Sequence, residues 1–220
     1  MKIVALDGPA GSGKTTLASI ISKRCNLVNI DTGATYRCVA LAVLKNNVDI
    51  QEEDKIIELT KTLDIKFSLD RKVYLNSYDV TKEIRDKEVT NIVSSISSIV
   101  EVRKHMIDLQ RSLALDFDVV MEGRDITTVV LPNAQYKFYL DASLEERVKR
   151  RFEENKLKNI DVSLEEVYEN IKSRDYNDMN KKVGSLIRTD EQIYIDSTNL
   201  SIEEVAKIMI DIIGDDKNES

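Results

Sequence analysis

Eight residues near the amino terminus, Gly8, Pro9, Ala10, Gly11, Ser12, Gly13, Lys14 and Thr15, satisfy every fixed position of the pattern G-x-x-x-x-G-K-[ST]. A short apolar run precedes them and a helical pattern follows, the setting this pattern needs. Glycines let backbone N–H groups converge on phosphate oxygens, and the start of a helix adds a partial positive charge. Lys14 has the reach for the β and γ phosphates of a nucleoside triphosphate, and the Thr15 hydroxyl suits Mg²⁺. Thr16 follows and is counted with the loop.

A bound triphosphate leaves open what is done with it. A GTPase needs an Asn-Lys-x-Asp motif, but the pairs Asn155-Lys156 and Asn180-Lys181 lack the Asp. A translocating ATPase needs a strand ending in acids and a basic track. The run "DVVMEG" (118–123) imitates the first only weakly, and the chain is acidic. A small-molecule kinase needs a second anion site built of Arg. Arg37 follows "DTGATY", Arg124 sits where a strand ends, and Arg174 opens "RDYNDMNKK". Ligands of doubly wound sheets lie at the carboxyl ends of strands, which is where Arg37 and Arg124 fall. Arg124 and Asp125 are successive in "EGRDITT". At an extended strand end they point to different sides, so they suit two parts of one ligand better than each other.

These residues must be positioned by elements the sequence also marks. Strand-like runs at 2–6, 27–30, 118–122, 136–142 and 192–197 alternate with helical patterns at 14–25 and 34–46 and beyond. The alternation predicts an α/β fold with a mostly parallel sheet. Three helix starts carry a capping box: Ser143 with Glu146, Ser163 with Glu166 and Ser201 with Glu204. Residues 65–80 break the rhythm and read as an antiparallel hairpin, followed by a long helix from about 87 to 115. Residues 155–190, rich in charge and Asn, read as a mobile segment, and the tail 214–220 as frayed.

The composition sets limits. The 220 residues carry a net charge of −7, which argues against nucleic acid or an anionic membrane surface as partner. The longest apolar run, Cys38 to Leu44, is far below the about 20 residues of a spanning helix. The apolar run before Asp7 is too short for a secretory signal. Cys25 and Cys38 have neither zinc nor CxxC spacing and read as reduced thiols of a cytoplasmic protein. The lone histidine, His105, reads as structural or exposed.

Taken together, "DGPAGSGKTT", "DTGATYR", "EGRDITTVVLP", "LDASLEERVKRR", "RDYNDMNKKVGSL" and "IDSTNLSIEEV" resemble the cytidylate kinases of the long bacterial type, from residue 3 to about 208. The resemblance implies one P-loop kinase domain over 1–220: a central parallel sheet flanked by helices, an inserted NMP-binding part at about 60–95, and a helical lid at about 155–185. It implies transfer of the γ-phosphoryl of ATP to CMP or dCMP with Mg²⁺, by a monomer whose partners are small nucleotides. Arg37 and Arg124 would clamp the acceptor phosphate. Ser94, Arg103 and Asp125 match the positions that read cytosine, and Asp178 the one that holds the ribose hydroxyls. Thr32 lines the acceptor site. Arg174 and Lys181 fall in the lid and would act on the phosphates with Lys14 and Arg124. Arg147 and Arg151 would reach the adenine and phosphates of ATP. Asp31 and Asp125 are both candidates for outer-sphere contact with Mg²⁺.

Two positions depart from the family pattern. Lys181 stands where Arg is usual, which keeps the charge and loses the two-pronged fork. Thr127 stands where Gly is usual, so either no positive φ is needed there or the loop is shaped differently. Two other readings compete: a different small-molecule kinase of the adenylate or shikimate type, and a nucleotide-binding switch without transfer.

Overall fold

The computed structural model describes residues 1–68, 72–115 and 117–215, so the last five residues of the expected frayed tail and part of the expected hairpin lie outside it. The chain forms two compact units, Met1–Leu27 with Asp118–Ser220, and Val28–Phe117.

The first unit opens with β1 (Ile3–Asp7), whose last four residues are buried. It feeds the Gly8–Gly13 loop and then α1 (Lys14–Cys25). Asn26, at φ 56°, ends α1 in the left-handed conformation, and its N–H bonds to the Ser22 carbonyl.

The second unit begins with β2 (Val28–Asp31) and α2 (Thr32–Lys45). The Asp31 side chain caps α2 by accepting from the Ala34 N–H at 3.1 Å. After α3 (Glu53–Lys61) come β3 (Ile65–Phe67), β4 (Val73–Leu75) and β5 (Tyr78–Asp79). The expected hairpin is thus a three-stranded antiparallel sheet. Asn76 (φ 49°) and Ser77 (φ 70°) make the tight turn between β4 and β5. The single helix expected over 87–115 is two, α4 (Lys87–Ile96) and α5 (Val100–Leu113). The physical reason is a serine pair at the break. The Ser97 and Ser98 hydroxyls both donate back to the Ser94 carbonyl, at 3.1 and 2.8 Å. Such local bonds offer the backbone an alternative to the helix ladder. Ile56, Ile65, Ile84, Ile96, Val102 and Met106 pack with the apolar face of α2 into this unit's core.

The chain then returns to the first unit through β6 (Val119–Gly123), a π-helical turn at Ile126–Val130, β7 (Tyr136–Asp141), α6 (Leu144–Leu157), α7 (Leu164–Met179), β8 (Ile193–Asp196) and α8 (Ile202–Asp215). Within this unit β6, β1, β7 and β8 lie side by side in that order, and each pairing is parallel. The register sets Asp7 opposite both Gly123 and Tyr139. The loops after β1, β6 and β7 therefore leave from one edge of the sheet. Leu6, Leu17, Ile21, Phe138 and Met209 fill the core between the sheet, α1 and α8.

Two of the three capping boxes are complete, at Ser163–Glu166 and Ser201–Glu204. At the third, Ser143 caps the Glu146 N–H but Glu146 does not reach back. Its carboxylate accepts from Arg150 Nε at 2.9 Å, and the Ser143 N–H goes to the Thr198 hydroxyl.

Candidate active site

Between β1 and α1 the Gly8–Thr15 loop turns tightly. A Cβ on Gly8 would lie 2.0 Å from the Leu140 carbonyl oxygen, so only glycine lets the loop leave β1 against β7. Unlike α2, α6 and α7, helix α1 has no side-chain cap, and unlike α6 and α7 it holds no acidic residue in its first turn. Its leading N–H groups and its positive dipole end are left to an outside anion.

Lys14 is buried in this loop, its Nζ donating to the Pro9 carbonyl at 2.7 Å and to Ser12 Oγ at 3.2 Å. Burial, helped by the nearby Arg124 charge, pushes its ammonium down to about 7. A phosphate arriving beside it restores the positive charge. The exposed Thr15 donates its hydroxyl at 2.6 Å to Glu122 Oε1, a buried carboxylate on β6. This hydroxyl and carboxylate suit Mg²⁺, which binds one or two protein oxygens and takes the rest from phosphate and water.

Arg124 leaves the end of β6 and meets Asp178 of α7, Nε to Oδ2 at 2.6 Å, not its neighbour Asp125. Asp178 Oδ1 also accepts from Lys181 Nζ at 3.0 Å. Burial alone would raise the Asp178 carboxyl; the charges of Arg124 and Lys181 outweigh it and hold the group below the usual range. Burial disfavours the Arg124 cation, and Asp178 outweighs that in turn. Arg124, Asp178 and Lys181 thus form one linked, largely enclosed charged set, with Arg124 near enough to act on Lys14. Asp125 is buried, while Arg174 points from an exposed position on α7.

Arg147 and Arg151 share a helix face but not an environment. Arg147 is buried and donates to the carbonyls of Ala10 (2.9 Å) and Ala142 (3.0 Å) and to Asp175. Arg151 is exposed and pairs with Glu154 at 2.8 Å. Arg150, between them, donates to the Ser12 carbonyl at 3.4 Å and to the Ser197 carbonyl at 2.6 Å.

In the second unit, Arg37 Nη2 pairs with Asp31 Oδ2 at 2.6 Å. Burial raises the Asp31 carboxyl, and Arg37 more than reverses it. Arg103 is buried on α5, 5.7 Å from the Tyr36 ring centre, and Nη1 donates to the Ser97 carbonyl at 3.3 Å. Since the Ser97 hydroxyl bonds the Ser94 carbonyl, Ser94 and Arg103 are joined through the α4–α5 break. The buried Thr32 presents its carbonyl to Thr35 Oγ1 at 2.7 Å.

The sequence model of the cytidylate kinase family matches residues 4–215. The chain belongs to the cytidylate kinase family. It is 44% identical over 212 residues to the cytidylate kinase of Caldicellulosiruptor bescii, covering 95% of this chain and 94% of that one. It is 44% identical over 210 residues to that of Alkaliphilus oremlandii, covering 96% of each. Among solved structures, an uncharacterized protein from Eubacterium ventriosum shares the fold at TM-score 0.56 and 12% identity, over 97% of this chain and 99% of that one.

Thr127, one of the two departures from the cytidylate kinase pattern, has no positive φ and lies in the π-helical turn. Its hydroxyl donates to Asp7 Oδ2 at 2.6 Å and accepts from Gln192. Asp7 also takes the Ile126 and Thr127 N–H groups, at 2.8 and 2.9 Å. The carboxylate before the phosphate loop therefore anchors the turn that follows Arg124 and Asp125. Four residues around the loop are not singled out as site residues by the sequence: Glu122, Arg150, Asp175 and Gln192. Glu122 left a signal as the acid in "DVVMEG", and Asp175 as the second residue of "RDYNDMNKK".

Proposed function

We propose that this protein transfers the γ-phosphoryl group of ATP to CMP or dCMP, giving ADP and CDP or dCDP. The observation that carries this reading is Arg124, half-buried at the end of β6 and held by Asp178, close enough to the phosphate-loop Lys14 to depress its pKa. A nucleotide switch needs the loop alone; a phosphoryl transferase needs a second cation for the acceptor.

In this reading Gly8 to Thr16 hold the triphosphate, and the exposed Arg151 serves the adenine end. Arg37 and Arg124 take the acceptor phosphate with their planar forks. Thr32 belongs with them. Ser94, Arg103 and Asp125 read cytosine, and Asp178 takes the ribose hydroxyls once Arg124 turns to phosphate. Arg174 and Lys181 add positive charge over the transferring group. Thr15, with Glu122 behind it, would hold Mg²⁺, which when bound neutralises phosphate charge. The acceptor phosphate has its second pKa near 6, so it is a dianion at neutral pH and needs no general base. Catalysis is then positioning plus stabilisation of developing charge.

The acidic balance of the chain supports small nucleotides over nucleic acid as partners. Among the described residues no helix is long and apolar enough to cross a membrane. The resemblance supports a cytoplasmic monomer.

The test is turnover with ATP–Mg across CMP, dCMP, UMP, AMP, GMP and shikimate. A carboxylate accepts from cytosine N4, and a guanidinium donates to N3 and O2; uracil reverses two of these. Each mismatched buried group costs about 1–3 kcal/mol, so CMP is expected to exceed UMP in kcat/KM by about a hundredfold. Asp125→Ala should cost most with the cytosine nucleotides. Equal use of CMP and UMP by the wild type would remove the base-reading assignment.

A further inference from the structure

One buried ion pair of the first unit has no part in the scheme above. Asp175 of α7 and Arg147 of α6 contact each other, both nearly inaccessible to solvent. Between them they grip the Ala10 residue of the phosphate loop from both sides. Asp175 Oδ1 accepts the Ala10 N–H at 3.1 Å, and Arg147 Nη1 donates to the Ala10 carbonyl at 2.9 Å. The contact is close along the whole turn. A Cβ on Gly11, whose φ is +77°, would come within 3.1 Å of the Arg147 carbonyl and 3.4 Å of Ile171 Cδ1. Ala10 itself is packed in a small core with Val148, Val167 and Ile171.

The Ala10 N–H belongs to the same planar peptide as the Pro9 carbonyl, and in a trans peptide the two point in opposite directions. The Pro9 carbonyl is the group that holds Lys14 Nζ at 2.7 Å. One rigid plane thus has the Asp175 carboxylate on one end and the Lys14 ammonium on the other. Rotating that plane would swing the acceptor away from Lys14. Three residues further along α7, Asp178 holds Arg124. The same helix fixes both the phosphate loop and the arginine at the end of β6.

We propose that Asp175 is a positioning residue for the phosphoryl donor. Together with Arg147 it sets the orientation of the Pro9–Ala10 peptide, and through it the place of Lys14 in the triphosphate cradle. Asp175 touches no reacting atom in this scheme. The inference rests on the reading of the loop as the ATP site.

The experiment is steady-state kinetics of Asp175→Ala and Asp175→Asn, varying ATP and CMP separately. Losing the carboxylate is expected to raise KM for ATP about tenfold and lower kcat, with KM for CMP held within about twofold. Asparagine keeps an acceptor for the Ala10 N–H, so Asp175→Asn should recover most of the loss in ATP KM. It also keeps the side-chain volume, so it gives the reading if the alanine variant does not fold. Changes equal in both substrates, or a lowered melting temperature with unchanged ATP KM, would overturn the proposal. So would an asparagine variant no better than alanine. Wild-type saturation by ATP in the same assay tests the kinase reading separately; no ATP-dependent turnover there would sink that reading instead.

Discussion

Arg124→Ala is expected to lower kcat/KM about a thousandfold with every acceptor that the wild type uses. The argument starts from its surroundings. The guanidinium is half-buried at the end of β6, and Asp178 holds it at 2.6 Å. It is the charge that acts on Lys14 after burial itself. Removing it takes a positive fork from the place where the transferring phosphoryl and its acceptor need charge. The base-reading groups are untouched, so the loss should be uniform across CMP and dCMP. Arg124→Lys keeps the charge but not the fork, and should recover only part of the rate. The variant also leaves the Asp178 carboxylate with Lys181 alone, so stability falls too, and turnover must be expressed per folded molecule. Normal turnover in the folded fraction would reduce Arg124 to a structural partner of Asp178.

Lys14→Met should be as severe, about a thousandfold in kcat/KM, because it removes the cation that tracks charge on the β and γ phosphates. This residue also makes ATP binding pH-dependent in a defined direction. With its pKa pushed down to about 7, Lys14 is mostly neutral at pH 8 before nucleotide arrives. Phosphate charge favours the protonated form, so ATP binding takes up a proton at pH 8 and little at pH 6. Affinity therefore declines as pH rises above about 7. Calorimetry in buffers of different ionisation enthalpy reads the uptake directly. Lys14→Met should abolish it, and proton uptake that survives in this variant would assign the effect elsewhere.

The parts of the fold governed by local chemistry were legible in the residues. Gly13 before Lys14 starts α1, and Asn26 ends it. Ser163 with Glu166 starts α7, as their spacing suggests. Failures in the fold came where side chains within a turn of one another compete for the same partner. Glu146 abandons its capping box for Arg150. The Ser97–Ser98 break is invisible to apolar periodicity, which runs on across it. In the site, the phosphate loop was plain from its glycines. Glu122 was not, because its significance depends on Thr15, 107 positions away. Asp175 stands in "RDYNDMNKK", but it lies 165 positions from Ala10 and nothing local tells which loop it holds. Arg147 and Arg151 look equivalent by spacing, and only packing separates the buried one from the exposed one.

Cys38 gives the second unit a built-in clock. Its thiol is fully enclosed on α2, and burial pushes its pKa up to about 12. Thiolate is the species that attacks a disulfide reagent, so at pH 8 this sulfur stays silent while the 28–117 unit is shut. Once that unit opens, the thiol reverts to an ordinary acidity and reacts. With Cys25 replaced by serine, the slow release of chromophore from Ellman's reagent would count the openings that expose Cys38, with no added label.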